Sequence, residues 1–227
     1  MPTDRVGTAD CRRWQDILDR EERERAGRFR FERDRREFIA AHALLRRMLA
    51  FHLGQPAAAW QFAIGAFGKP TIDKKLRVSD IDFNMSHTRD LVAAAVVSHA
   101  TIGVDVEQID RAKADFAMAK AYFAPPEVEL LRLAAQRERA ARFFQLWTLK
   151  EAYLKATGAG LGTALDSFAF TLAPVRISFL TDSADLTQRW HFRTLPTTGR
   201  HVLSVAVATP SNLAIRVLSR RIAPHDL

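Results

Sequence analysis

The chain has 227 residues, 48% of them hydrophobic and 15 of them phenylalanine, enough to bury a real core as one large domain or two small ones. No stretch approaches the roughly 18 uninterrupted apolar residues of a membrane span, and the opening MPTDRVGTADCRRW has no apolar signal core, which argues against export. Cys11 is the single cysteine, so an internal disulfide and a multi-cysteine metal site are excluded and a reducing cytoplasm fits. A net charge of +8, from 34 Lys+Arg against 26 Asp+Glu, attracts acidic partners without choosing among nucleic acid, anionic lipid, phosphorylated cofactors and acidic proteins.

Residues 9–29 read as one charged helix, and the interleaved arginines and acids of DREERERAGRFRFERDRRE read as a solvated surface. Phe38, Ala41, Leu45, Met48 and Leu49 then set an apolar stripe of helical period that Gly54 closes. WQFAIGAFGKPTID is a short strand and a turn broken at Gly68 and Pro70. Its GAFGKP segment mimics a Walker A loop, but the spacing is too short and Pro70 stands where Ser or Thr belongs, leaving a tight turn that presents Lys69. FNMSHT, LVAAAVVSH and TIGVDVE follow as strand-like runs. Helical patterning returns from Pro126 to about Ala156, in one piece or two, until GAGLGT breaks it. FAFTL, RISFL, RWHFRTL, HVLSVAVAT and LAIRVL complete the chain as strands and short loops. This order of helices, strands, helices, strands predicts an α+β fold of two similar halves, residues 1–99 and 100–227, rather than a regularly alternating parallel sheet.

Three features carry candidate chemistry. In GVDVEQID, strand alternation puts Ile102, Val104 and Val106 on one face and Gly103, Asp105 and Glu107 on the other. Two carboxylates sharing a face repel unless a cation lies between them, and Mg²⁺ suits all-oxygen ligands; a solvated strand end is the plainer alternative. In FFQLWTLKEAYLKATG, helical spacing puts Trp147, Glu151 and Lys155 on one face, with Trp147 drawing that face inward. In FNMSHT, Asn84, Ser86 and His87 crowd a strand end, a plausible phosphate-contacting edge.

The order GKP, FNMSH, GVDVE, WTLKEAYLKATGAGL resembles the Sfp-type 4′-phosphopantetheinyl transferases, and the resemblance runs from RAGRFRFERD at Arg25 to LDSF at Leu165–Phe168. It implies two similar α/β halves in one pseudo-dimeric chain, with coenzyme A in the cleft between them and the metal site on the second half. The implied reaction moves the phosphopantetheine arm of coenzyme A to a serine of an apo carrier protein and releases adenosine 3′,5′-bisphosphate. Asp105, Glu107 and Glu151 match the family's Mg²⁺ ligands, so that the acids would hold the metal on the coenzyme A pyrophosphate, and Asp105 thereby also contacts the coenzyme. Lys155 matches the lysine on the transferred phosphate, Ser86 and His87 match positions on coenzyme A phosphates, Lys69 the basic residue of GKP, and Arg25 a basic residue for the 3′-phosphate. Glu151 and Lys155 are the implied catalytic pair. The base for the serine hydroxyl stays open between Glu151 and a hydroxide on the metal. The family implies an acidic carrier-protein partner and a monomer in the cytoplasm, with no membrane or nucleic-acid partner.

Two rivals answer to the same residues. A nucleic-acid-binding module would use the basic charge, but the aromatics follow core periodicity rather than a stacking pattern. A Mg²⁺-dependent phosphohydrolase would use the same acids without a carrier protein. No G-x-S-x-G supports serine hydrolysis, and no H-E-x-x-H supports zinc.

Overall fold

A computed structural model describes residues 1–65, 68–181, 189–197, 199–210 and 213–227, with Leu161 described for its backbone only. Three helices open the chain: α1 (Thr8–Gln15), α2 (Arg20–Gly27) and α3 (Glu32–Leu53). The single helix expected over residues 9–29 is therefore two. Asp19 accepts the Glu22 N–H at 2.9 Å while the Glu22 carboxylate accepts the Asp19 N–H at 3.0 Å. That reciprocal cap starts a fresh helix. Gly54 ends α3 at φ 71, where a left-handed residue costs glycine little.

Two hairpins follow, β1 (Phe62–Ile64) with β2 (Pro70–Ile72) and β3 (Ile81–Thr88) with β4 (Leu91–Ser98). The run expected as one strand and a turn is thus a hairpin, with Ala66 and Phe67 outside the described residues. The second part of the chain runs β5 (Thr101–Gln108), α4 (Phe116–Tyr122), α5 (Pro125–Leu133), α6 (Gln136–Thr157), β6 (Phe168–Leu172), β7 (Val175–Phe179), β8 (Arg189–Leu195) and β9 (His201–Thr209). Strand β9 lies between β5 and β8 in an antiparallel sheet, and β6 pairs with β7. The segment 213–218, expected as a strand, is irregular and largely exposed, with only Ile215 packing inward. Its apolar residues find no strand to pair with, and β propensity acts only through such a neighbour. Among the described residues no helix is long and apolar enough to cross a membrane.

The architecture is α+β, and its two parts run in parallel. Among the described residues each has three α-helices, the third being 22 residues long, ended by a left-handed glycine (Gly54 or Gly158) and packed on antiparallel strands. Separate apolar clusters fill the two parts. One gathers Trp14, Phe38, Ile39 and Leu44, the other Phe143, Leu146, Leu149, Tyr153 and Phe168. A third cluster joins Leu91 and Ala93 to Val104, Val106 and Val205, so the parts share a core at β4 and β5.

Their seam is not a backbone ladder. On β3 the alternate residues Asp82, Asn84, Ser86 and Thr88 share one face and accept the outward N–H groups of Ile102 (2.8 Å), Val104 (3.0 Å), Val106 (3.3 Å) and Gln108 (3.3 Å) on β5. The intervening Phe83 and Met85 turn toward the α3 side. Lys69 closes one end of the seam. Its ammonium donates to Asp82 Oδ2 at 2.6 Å and to the carbonyls of Ile102 (3.0 Å) and Ala156 (3.3 Å), the last near the negative end of α6.

Candidate active site

The β5 alternation places Gly103, Asp105 and Glu107 on one face, as their spacing predicts, and the fold turns that face toward α6. A Cβ on Gly103 would lie 2.0 Å from the Ala152 carbonyl oxygen and 2.4 Å from the Ala156 nitrogen. The missing side chain lets helix and strand touch backbone to backbone, and this brings the acids of β5 under the polar face of α6. The neighbouring helical face is pinned on the other side. Lys150, 1% exposed, donates to Glu127 at 2.8 Å and to the carbonyls of Leu165 and Phe168 at 2.6 Å each, and its ammonium sits 4.2 Å from the Phe168 ring centroid. Glu127 in turn accepts the N–H groups of Ala124 and Phe170. Lys150 and Glu151, adjacent in sequence and about 100° apart around the helix, therefore face different surroundings: one the core, the other a cavity.

That cavity holds about 390 Å³ and is lined from three elements: Met85, Ser86 and His87 of β3, Asp105 and Glu107 of β5, and Trp147, Glu151 and Lys155 of α6. Asp105 is buried. Its Oδ1 accepts the Lys155 ammonium at 2.6 Å and the Ser86 hydroxyl at 2.9 Å. Its Oδ2 is buried with no hydrogen-bond partner among the described residues. Ser86 is fully used, since Oγ also accepts the Val106 N–H and the Lys155 ammonium at 3.1 Å. Desolvation, then the charge of Asp105, raises the pKa of both Glu107 and Glu151. Desolvation followed by the Lys155 charge lowers that of His87, whose side chain keeps an exposed edge at the rim.

The structure thus brings Ser86, His87, Asp105, Glu107, Glu151 and Lys155 to one cavity. Lys69 does not line that cavity; its ammonium is engaged in the seam. Arg25 is exposed on the last turn of α2, its guanidinium 5.3 Å from the centroid of Phe38. Asn84, expected at a phosphate-contacting edge, accepts the Val104 N–H on its side-chain oxygen inside the seam. Sequence reasoning missed that seam and the roles of Thr88 and Lys150. The polar alternation of Asp82, Asn84, Ser86 and Thr88 was the available signal for the first.

The donor set suits a hard divalent cation: three carboxylates, two with raised proton affinity, and one buried oxygen without a partner. Among the described residues no group of three or more His, Cys, Asp or Glu side chains is placed to hold a metal ion, and the Lys155 ammonium sits against Asp105 instead. The fit to Mg²⁺ rests on the oxygen chemistry of the three acids and on the unpartnered Oδ2.

Comparison with known proteins follows the same division of the chain. The model of the 4′-phosphopantetheinyl transferase superfamily matches residues 101–206, and that of the N-terminal part of 4′-phosphopantetheinyl transferases matches residues 8–99. A phosphopantetheinyl transferase of Thraustochytrium sp. is 33% identical over 221 residues, covering 91% of this chain and 76% of its own length. The chain belongs to the 4′-phosphopantetheinyl transferase family. Within it, the 4′-phosphopantetheinyl transferase HetI of Nostoc sp. is 37% identical over 157 residues, 69% of this chain and 66% of its own. The 4′-phosphopantetheinyl transferase of Bacillus subtilis is 32% identical over 152 residues, 67% and 65% of the two chains. The chain therefore spans about two thirds of the length of these two relatives. Among solved structures, the Thermotoga maritima holo-[acyl-carrier-protein] synthase matches 48% of this chain and 63% of its own at 19% identity and a TM-score of 0.41, too remote to bear on the site.

Proposed function

We propose that this phosphopantetheinyl transferase moves the 4′-phosphopantetheine arm of coenzyme A to a serine of an apo acyl or peptidyl carrier protein, in a Mg²⁺-dependent reaction. The observation that carries the reading is the convergence of three acids, Lys155, Ser86 and His87 on one cavity in a chain of this family.

In the balanced step, the serine oxygen forms a bond to the phosphorus that bears pantetheine and the pyrophosphate bridge breaks. Adenosine 3′,5′-bisphosphate leaves with the bridging electron pair, and the serine proton passes to a base. Asp105, Glu107 and Glu151 would hold Mg²⁺, which when bound neutralises the pyrophosphate. Lys155 stabilises negative charge on the transferred group or the leaving group; its ammonium is already anchored by Asp105 and Ser86. Glu151 lines the cavity where the serine proton is taken up, and desolvation followed by the Asp105 charge raises its proton affinity, which makes it one candidate for the base. His87 at the rim and Arg25 on α2 meet coenzyme A phosphates, Arg25 the 3′-phosphate. Lys69 holds the seam together and makes no contact with the coenzyme. Positioning and charge neutralisation supply most of the rate gain, since phosphoryl transfer leaves little covalent work to the protein. The +8 charge steers an acidic carrier toward the site. The chain acts as a cytoplasmic monomer, without a nucleic-acid partner.

The test is intact-mass spectrometry of an apo carrier protein incubated with this enzyme, coenzyme A and Mg²⁺. A carrier mass gain of one phosphopantetheine arm, abolished by EDTA, is the expected result. No gain over a panel of carriers, together with no binding of coenzyme A, would overturn the reading.

A further inference from the structure

Resting on the metal site proposed above, we infer that Thr88 is a positioning residue for Glu107, doing for that carboxylate what Ser86 does for Asp105. The two hydroxyls stand two residues apart on one face of β3, opposite two acids two residues apart on β5. Ser86 Oγ accepts the Val106 N–H at 3.3 Å and donates to Asp105 Oδ1 at 2.9 Å. Thr88 Oγ1 accepts the Gln108 N–H at 3.3 Å and donates to Glu107 Oε2 at 3.2 Å. In each case the acid is followed directly by the residue whose N–H fixes the hydroxyl.

This repeat has a chemical consequence. A hydroxyl owns one hydrogen. Once its oxygen is held by a backbone N–H of the opposing strand, that hydrogen is aimed at the carboxylate beside it. The Glu107 side chain is longer than that of Asp105 and only half-buried, so it has more rotamers to lose and gains more from such a tether. Threonine's branched Cβ restricts its own torsion and makes it a stiffer anchor than serine. A threonine at this position leaves one Glu107 oxygen tied to β3 and the other free to face the cavity. Partners of this kind, orienting a metal ligand from behind, typically govern about 10–100-fold in metal affinity.

The experiment is Mn²⁺ titration by electron paramagnetic resonance, with coenzyme A present, on the whole chain and on Thr88→Val, Thr88→Ser and Glu107→Gln. Thr88→Val is expected to weaken Mn²⁺ binding by about 10–100-fold, Thr88→Ser to stay close to wild type, and Thr88→Val added to Glu107→Gln to cost nothing further. Affinity for coenzyme A in metal-free buffer should be unchanged in Thr88→Val and Thr88→Ser. Wild-type Mn²⁺ affinity in Thr88→Val, even with a lowered melting temperature, would make Thr88 a structural cap and overturn the inference while leaving the metal site standing. Equal Mn²⁺ binding by wild type and Glu107→Gln would take Glu107 out of the ligand set and overturn the inference, whereas no Mn²⁺ binding by the wild type would overturn the metal site itself. Thr88→Ala provides the same comparison if valine blocks folding.

Discussion

The Lys155 ammonium lies 2.6 Å from Asp105 Oδ1, tying the polar face of α6 to the acidic face of β5 at the floor of the cavity. Each partner is held where it can meet a phosphate or a cation, and neither is free to wander. Removing either charge tests the chemistry, and because Asp105 is buried a thermal melt must accompany the kinetics to separate lost stability from lost turnover. Asp105→Asn and Lys155→Met are each expected to lower kcat for carrier modification by about 10²–10³-fold, with the far-ultraviolet circular dichroism unchanged. Steady-state kinetics on a carrier protein reads this, and a near-normal turnover in either variant removes that residue from the reaction.

Gly103→Ala asks whether the close approach of β5 and α6 is required. A methyl 2.0 Å from the Ala152 carbonyl oxygen cannot be accommodated without moving backbone. We expect a loss of about 3 kcal/mol or more in urea unfolding and a fall in transfer activity larger than that in coenzyme A affinity. A wild-type midpoint would show that helix and strand can separate freely.

Lys150→Met strands the Glu127 carboxylate, which is 0% exposed, in the core. Breaking a buried pair from one side typically costs about 3–5 kcal/mol. Glu127→Gln removes the charge but keeps only one of the two oxygens that accept the Ala124 and Phe170 N–H groups, so the double variant should recover part of the loss and not all of it. Thermal melts of the single and double variants check this, and equal stability of the two would contradict it.

Lys69→Met separates a seam role from coenzyme contact. With its three acceptors deprived of a donor, the protein is expected to lose about 2 kcal/mol of stability while its Kd for coenzyme A stays close to wild type. A weakened Kd at an unchanged melting temperature would place the ammonium on the coenzyme.

The raised pKa values of Glu107 and Glu151 carry a pH dependence of definite sign. A carboxylate that holds its proton more tightly folded than unfolded favours the native state below its unfolded pKa. That contribution is lost as pH rises through the folded value. The metal-free protein should therefore lose stability just above the ordinary carboxylate range. Mg²⁺ binds the ionised forms, so the rise in Tm that it produces should grow with pH across that window. Differential scanning fluorimetry with and without Mg²⁺ over a pH series measures this; a shift independent of pH would remove these glutamates from the metal's reach.

Much of the site was legible because the residues that perform chemistry also follow simple periods. The two-residue alternation of β5 put Asp105 and Glu107 together, and the four-residue spacing of α6 put Trp147, Glu151 and Lys155 together; the cavity unites both sets. What local pattern could not give was long-range pairing. Nothing within three residues of Lys150 announces Glu127, and nothing near Lys69 announces Asp82. The division of the first helix was written in Asp19 and Glu22 but lost in the surrounding run of charge. Leu213 to Leu218 erred the other way: a strand-like composition without an edge to join stays irregular.

The side-chain acceptors on β3 have an effect beyond joining the two parts. A strand whose outward N–H groups stand open is an invitation to a foreign strand, and sheets with such margins are prone to aggregate. The donors of Ile102, Val104, Val106 and Gln108 are occupied by groups that cannot continue a sheet. The face that steadies the acids thus also covers an edge of β5 that would otherwise be open to another strand, and Asn84, buried at its middle, closes the Val104 N–H.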